Sequence, residues 1–197
     1  MLPTVVARAL AVVACSAAVV LAGCGSSGSK IPPSKLSKLV LQQADLSKGF
    51  TPFYVGHQLS ADQPGTRSDP RRFGREGGWI GRYRRGGTPK TKGPLVVASR
   101  ADVFKDSSGA RSELELIRRQ LTSPSATRVR VGDLGDEVFG FTVVQPGTVR
   151  IRNYAIVWRE ANATAELELN GFEGGLTLSD ALALARKQEA RLRAAAS

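Results

Sequence analysis

Ala163-Thr164-Ala165-Glu166-Leu167-Glu168-Leu169 alternates small or apolar residues with polar ones without a break. A period of two belongs to extended chain, whose successive side chains leave on opposite faces. The segment reads as an antiparallel strand, with Ala163, Ala165, Leu167 and Leu169 on a core and Thr164, Glu166 and Glu168 on a wet face. Glu160-Ala161-Asn162 just before it is the expected hairpin turn. Further upstream, Thr148 to Arg159 and Val138 to Val144 flank Gln145-Pro146-Gly147, whose Pro and Gly suit a turn. Tyr154, Ile156 and Trp158 are apolar on one side of their strand, and Ala155 and Val157 on the other. Such a strand is central and covered on both faces.

Earlier strands are expected at Phe50 to Val55, Trp79 to Arg84 and Leu95 to Phe104. Pro52 marks the first as an edge. Gly56 to Gly78, with Pro64, Pro70 and several glycines, reads as a long loop, and Arg85 to Pro94 as another. Three helices are expected. Leu36, Leu39, Val40 and Gln43 fall at helical spacing behind Ser34, a candidate N-cap. Ala110, Leu114, Ile117 and Leu121 line one helical face, with Ser107 or Ser108 as cap and Pro124 as terminator. The last helix is Thr177 to Ala195, where Thr177 and Asp180 form an acidic capping box. Helices separated by runs of strands predict an α+β domain, an antiparallel sheet packed on two or three helices.

The N-terminal stretch has a different character. Arg8 precedes an apolar run from Ala9 that ends in Leu21-Ala22-Gly23-Cys24. Charge, apolar run and small residues are the parts of an export signal, and the run is shorter than the ~20 residues of a spanning helix. The tetrapeptide resembles the lipobox of bacterial lipoproteins. The resemblance implies cleavage after residue 23 and a diacylglyceryl group, with palmitate-type chains, on Cys24. Residues 1–23 are then the lipoprotein signal peptide, 24–34 a flexible tether rich in Gly and Ser, and 35–197 the extracytoplasmic domain. The location implied is the outer face of the bacterial plasma membrane, or the outer membrane in a Gram-negative cell, since Gly25 stands where an inner-membrane retention signal would have Asp. Cys15 leaves with the leader, so the mature chain has no pair of free thiols and the core alone must hold it.

Loss of Arg8 with the leader leaves 27 of the 28 basic side chains against 17 acidic, a balance of +10. Charge of this sign speaks to partners rather than fold. Outside a cell those are anionic lipid head groups, wall polymers or an acidic protein. The compartment excludes nucleic acid.

Candidate chemistry is sparse. His57 is the single histidine, without a nucleophile elbow or companion ligands, so no catalytic residue, no metal and no cofactor is assigned. Gly132-Asp133-Leu134-Gly135-Asp136-Glu137 reads as a turn entering a strand. Its carboxylates Asp133, Asp136 and Glu137 carry the alternative, an envelope enzyme acting on an anionic polymer. The densest constellation is basic. Arg71, Arg72, Arg75, Arg82, Arg84 and Arg85 stand among Phe73, Trp79 and Tyr83. Arginine's planar fork suits phosphate and carboxylate, so these six are candidates for anion binding if they share a surface. A solvated loop is the plainer reading of the same run. Arg82 and Arg84 have equal strand parity and are expected to project together.

Ala44-Asp45-Leu46-Ser47-Lys48-Gly49-Phe50, Leu134-Gly135-Asp136-Glu137 and Val157-Trp158-Arg159-Glu160-Ala161-Asn162 resemble elements of small actinobacterial extracytoplasmic domains, both sensor-like ectodomains and PsbP-like lipoproteins. That resemblance implies an α+β binding or interaction module, not an enzyme. It transfers no catalytic residue.

Overall fold

The computed structural model describes residues 29–58 and 72–196. The expected leader, Cys24 and Arg71 lie outside the described residues. The strands are β1 (Thr51–His57), β2 (Arg75–Arg84), β3 (Val96–Phe104), β4 (Thr127–Val129), β5 (Glu137–Gln145), β6 (Ile151–Glu160) and β7 (Ala163–Phe172). They form one antiparallel sheet in the order β1-β2-β3-β7-β6-β5-β4. The helices are α1 (Leu36–Leu39), α2 (Ser107–Leu121) and α3 (Leu178–Ala196). The architecture is α+β in a single domain, and Pro52 lies on an edge strand.

One face of the sheet carries α1 and α3. Tyr83, Val97, Ala101, Tyr154, Ile156, Trp158, Ala165, Leu167 and Leu169 meet Ala181, Ala185 and Leu192 there. On the other face Leu114 and Ile117 of α2 pack on Phe139 and Val157. β6 is therefore covered on both sides, as its doubly apolar pattern demands. Trp158 is fully buried.

The face read as wet is dry over much of its length, because α2 lies on it. Thr164 and Glu166 are 1% and 5% exposed. Alternation marks two faces but cannot distinguish water from a polar, covered surface. Glu166 is tolerable there because Arg100 Nη1 donates to it at 3.0 Å across the β3–β7 pair.

Other expectations shift. The first helix lasts one turn, and Ser34 does not cap it, since Pro33–Lys35 is a short 3-10 turn. The chain leaves the helix at Val40, with φ −94° and ψ 160°, because tertiary partners hold the next residue. Leu41 N–H donates to Ser99 Oγ at 2.9 Å, and Leu41 carbonyl accepts from the Tyr83 hydroxyl at 2.9 Å. Asp106, not Ser107 or Ser108, caps α2 by accepting from Gly109 N–H at 2.9 Å. Thr177 and Asp180 do form their reciprocal box at α3. β2 starts at Arg75, inside the stretch read as loop. Its glycines make room for neighbours rather than a turn: a Cβ on Gly77 would lie 2.7 Å from Leu36 Cδ1, and one on Gly78 would overlap the Arg75 guanidinium and Asp102.

The N-terminal strap fixes where the chain enters. Ile31 is fully buried, four residues ahead of the expected domain start at Lys35. Ile31 N–H donates to Asn162 Oδ1 at 2.7 Å, and Asn162 Nδ2 donates to the carbonyls of Ile31 at 3.1 Å and Phe104 at 2.6 Å. One buried amide thus ties the entering chain, the end of β3 and the β6–β7 turn. In that turn Ala161 adopts φ 53°.

Candidate functional site

Among the described residues, the arginine-rich stretch does not form one surface. Arg75 is buried with only 4% of its side chain exposed and forms an ion pair with Asp102, also buried. Arg82 and Arg84 share a face, as their parity requires, but their surroundings differ. Arg82 lies close enough to Glu168 to act on it electrostatically. Arg84 is exposed and sits over the Phe53 ring at 5.7 Å. Arg85, of opposite parity, lies 5.1 Å over the Phe50 ring and donates to the carbonyls of Pro94 and Lys92. It clamps the β2–β3 loop. Arg72 stacks at 4.7 Å on Phe73. Of the five described arginines, Arg75 and Arg85 are thus held by acceptors within the fold, while Arg72 and Arg84 rest on phenyl rings.

Two carboxylates of the β5 turn, Asp136 and Glu137, are likewise engaged, while Asp133 is exposed. Asp136 accepts from Ala161 N–H at 3.1 Å and pairs with Arg159 at 2.7 Å. Glu137 pairs with Arg111 at 2.7 Å and Arg159 at 3.1 Å, which holds its carboxyl below the usual range, the Arg111 hydrogen bond first. Gly135 takes φ +56°, and a Cβ there would collide with the Arg159 carbonyl. This turn is built to lock β5 onto β6. A cavity of about 520 Å³ beside it is lined by Lys30, Lys105, Asp106, Asp136, Arg159 and Glu160, among others. Glu160 is pushed up by burial and then by Asp136. His57 is not in a loop: it ends β1 and meets the Trp79 ring edge-on at 4.6 Å. Among the described residues no group of three His, Cys, Asp or Glu is arranged to hold a metal ion.

On the sheet face that carries α2, Arg100 bridges Glu166 and, at 3.4 Å, Glu168. Burial, and then the Glu166 carboxylate, push Glu168 up to about 7, with Arg100 and Arg82 pulling the other way. Since 37% of the Glu168 side chain still meets solvent, water moderates that burial.

A second arginine set, which spacing along the chain does not single out, surrounds a groove of about 490 Å³ where α2 ends against β4 and β5. Phe139 and Phe141 form its floor, ring centroids 5.9 Å apart and inclined by 61°. Arg118, Arg119 and Thr122 of the α2 end and Arg128 of β4 form its walls. Arg128 is the cross-strand partner of Phe141, so both side chains leave on the same face. Phe141's other neighbour is Ala155, which leaves the ring half uncovered. Arg118 has an exposed i,i+3 partner in Glu115 at 2.6 Å. Among the described residues no carboxylate pairs with Arg119 or Arg128. The available signal was the pairing of Arg118-Arg119 at an amphipathic helix end with Arg128 just past Pro124.

No protein-family model matches the chain, and no curated protein matches it. Among solved structures, the fold is similar to that of the extracellular domain of PknH from Mycobacterium tuberculosis, with a TM-score of 0.60 at 12% identity. The likeness covers 85% of this chain and 100% of that one. It establishes a shared fold. No helix of the described residues is long and apolar enough to cross a membrane.

Proposed function

We propose that the protein is a lipid-anchored extracytoplasmic binding module of the bacterial envelope, held through Cys24 with its arginine groove directed away from the anchor. The observation that carries this reading is the strap. Asn162 binds Ile31 at the end of the sheet where β3 finishes and α2 begins. Ile31 stands seven positions after Cys24, a reach of at most ~25 Å at ~3.5 Å per residue. From Ser107 at that end, α2 rises ~18 Å to Arg119. The β2–β3 loop carrying Arg85 lies at the far end of the same strands. A diacylated cysteine supplies the two chains that stable anchoring takes. The fold shared with the extracellular domain of PknH supports the extracytoplasmic setting. In this orientation the ligand or partner comes from the wall or the surrounding space, rather than from the leaflet that holds the anchor.

The carboxylate alternative has less behind it. Asp136 and Glu137 converge on the single guanidinium of Arg159 instead of facing each other across a cleft.

Fractionation tests the anchor: Cys24→Ala releases the protein from membranes or blocks processing, and a variant processed and retained like the wild type overturns the reading. Energy transfer tests the orientation. A dye on Ser107→Cys transfers more to a head-group acceptor than one on Thr88→Cys, and the reverse order overturns it.

A further inference from the structure

We propose that the groove between the end of α2 and strands β4–β5 is a binding site for an anionic amphiphile, a phosphate or carboxylate head carried on an acyl or prenyl body. This rests on the binding-module reading and names its ligand class.

The first argument is charge. Three guanidiniums, Arg118, Arg119 and Arg128, converge on one cavity, and among the described residues two of them have no carboxylate partner. Arginines in the last turn of a helix favour its dipole, which accounts for Arg118 and Arg119. It does not account for Arg128, which arrives from β4. Like charges gathered from two elements repel unless an anion lies between them, and the guanidinium fork binds phosphate and carboxylate in a two-point fashion.

The second argument is the floor. A site for a bare anion presents N–H groups and hydroxyls. Here the arginines stand around two phenyl rings, and Phe141 is only half-buried. An apolar floor under a cationic rim matches a ligand with an apolar body and a charged head. The volume of about 490 Å³ falls in the small-molecule range of roughly 300–1,000 Å³. None of the residues that line the groove belongs to the strap.

The test is calorimetry on the chain from Cys24 onward carrying Cys24→Ser. That chain contains the whole sheet and both of its cores. The probes are decyl phosphate and decanoate below micelle formation, inorganic phosphate, decyl maltoside and a hexaglutamate peptide. Decyl phosphate or decanoate binds one to one, at least tenfold tighter than the other three. Arg119→Ser with Arg128→Ser weakens that binding at least tenfold while circular dichroism and melting stay as in wild type. Separately, Phe141→Ser weakens it at least tenfold with the circular dichroism of the folded chain, although loss of the Phe139 contact lowers its melting temperature. Arg82→Ser with Arg84→Ser leaves it within twofold. Equal binding of inorganic phosphate, of the neutral maltoside or of the peptide overturns the proposal. So does indifference to the groove substitutions, or equal sensitivity to the Arg82 and Arg84 pair. Calorimetry in solution does not depend on where the chain is anchored. A negative result therefore removes this ligand and leaves the anchored-module reading to fractionation.

Discussion

Two groups of arginines divide the molecule. Arg72, Arg75, Arg82, Arg84 and Arg85 are close in sequence and separated in function. One is buried on Asp102, one clamps a loop while lying over Phe50, two others lie over phenyl rings and one faces Glu168. Arg118, Arg119 and Arg128 are fewer and spread over two elements, yet they meet around one groove. Arginine density along a chain therefore does not measure how much positive charge a surface offers. What counts is whether each guanidinium already has an acceptor, since charge paired in the interior is invisible to a ligand.

The largest effect is expected when one arginine is removed from each group in turn. Arg75→Ala removes the buried guanidinium that faces Asp102 and should cost ~3–5 kcal/mol in urea denaturation. Arg119→Ala should change stability by less than ~0.5 kcal/mol. Equal costs would show that the two groups do not differ. Replacing Arg75 and Asp102 together by Met and Leu should recover much of the loss, because the penalty lies in a buried carboxylate that has lost its guanidinium.

Arg85→Ala comes next. It removes two charged hydrogen bonds to the Pro94 and Lys92 carbonyls at a half-exposed site, an expected loss of ~1–2 kcal/mol. Limited proteolysis should then cut between residues 86 and 93 well before the wild type is cut there. An unchanged digestion pattern would mean that the loop is held by other contacts.

A smaller effect concerns pH. Glu168 has its carboxyl raised to about 7, so the folded chain binds more protons than the unfolded chain between the ordinary Glu value and about 7. Its contribution is most favourable below that ordinary value and is lost as pH rises through about 7. Glu168→Gln should therefore gain on the wild type between pH 5 and pH 8 by on the order of 1 kcal/mol, reduced from the buried limit by the solvent at its tip. A constant difference across this range would show Glu168 to be an ordinary surface carboxylate.

The smallest expected stability change is Arg128→Glu, within ~0.5 kcal/mol on an exposed strand residue. The same change reverses the charge at the Phe141 edge of the groove, so the melting temperature should hold while binding of decyl phosphate is lost. A large loss of stability would make Arg128 a structural residue and return it to the first group.

Local signals in the chain carried much of the architecture. The strand period of Ala163 to Leu169, the two-sided apolar pattern around Trp158 and the Ala110–Leu121 stripe each read correctly, because side-chain period follows from backbone geometry within a single element. The wet face expected at Thr164 and Glu166 did not, because α2 covers it. Pro52 marked an edge for the same kind of reason, a missing donor. The one-turn helix at Leu36 and the early start of β2 were illegible because distant groups decide them. Ser99 and Tyr83 draw Leu41 out of the helix, and Leu36 and Asp102 fill the spaces that Gly77 and Gly78 leave.

The same division holds for function. Strand and helix periods, the positive balance and the resemblance of Leu21-Ala22-Gly23-Cys24 to a lipobox are legible along the chain, since all depend on composition or on near neighbours. Which charges remain available is settled only on folding. Asp102 stands 27 residues from Arg75, and Glu166 stands 66 from Arg100. Arg119, Arg128 and Phe141 come together only when the end of α2 settles beside the β4–β5 pair. An ion pair is a relation between places in space, and sequence spacing constrains that relation only within a helix turn or along one strand.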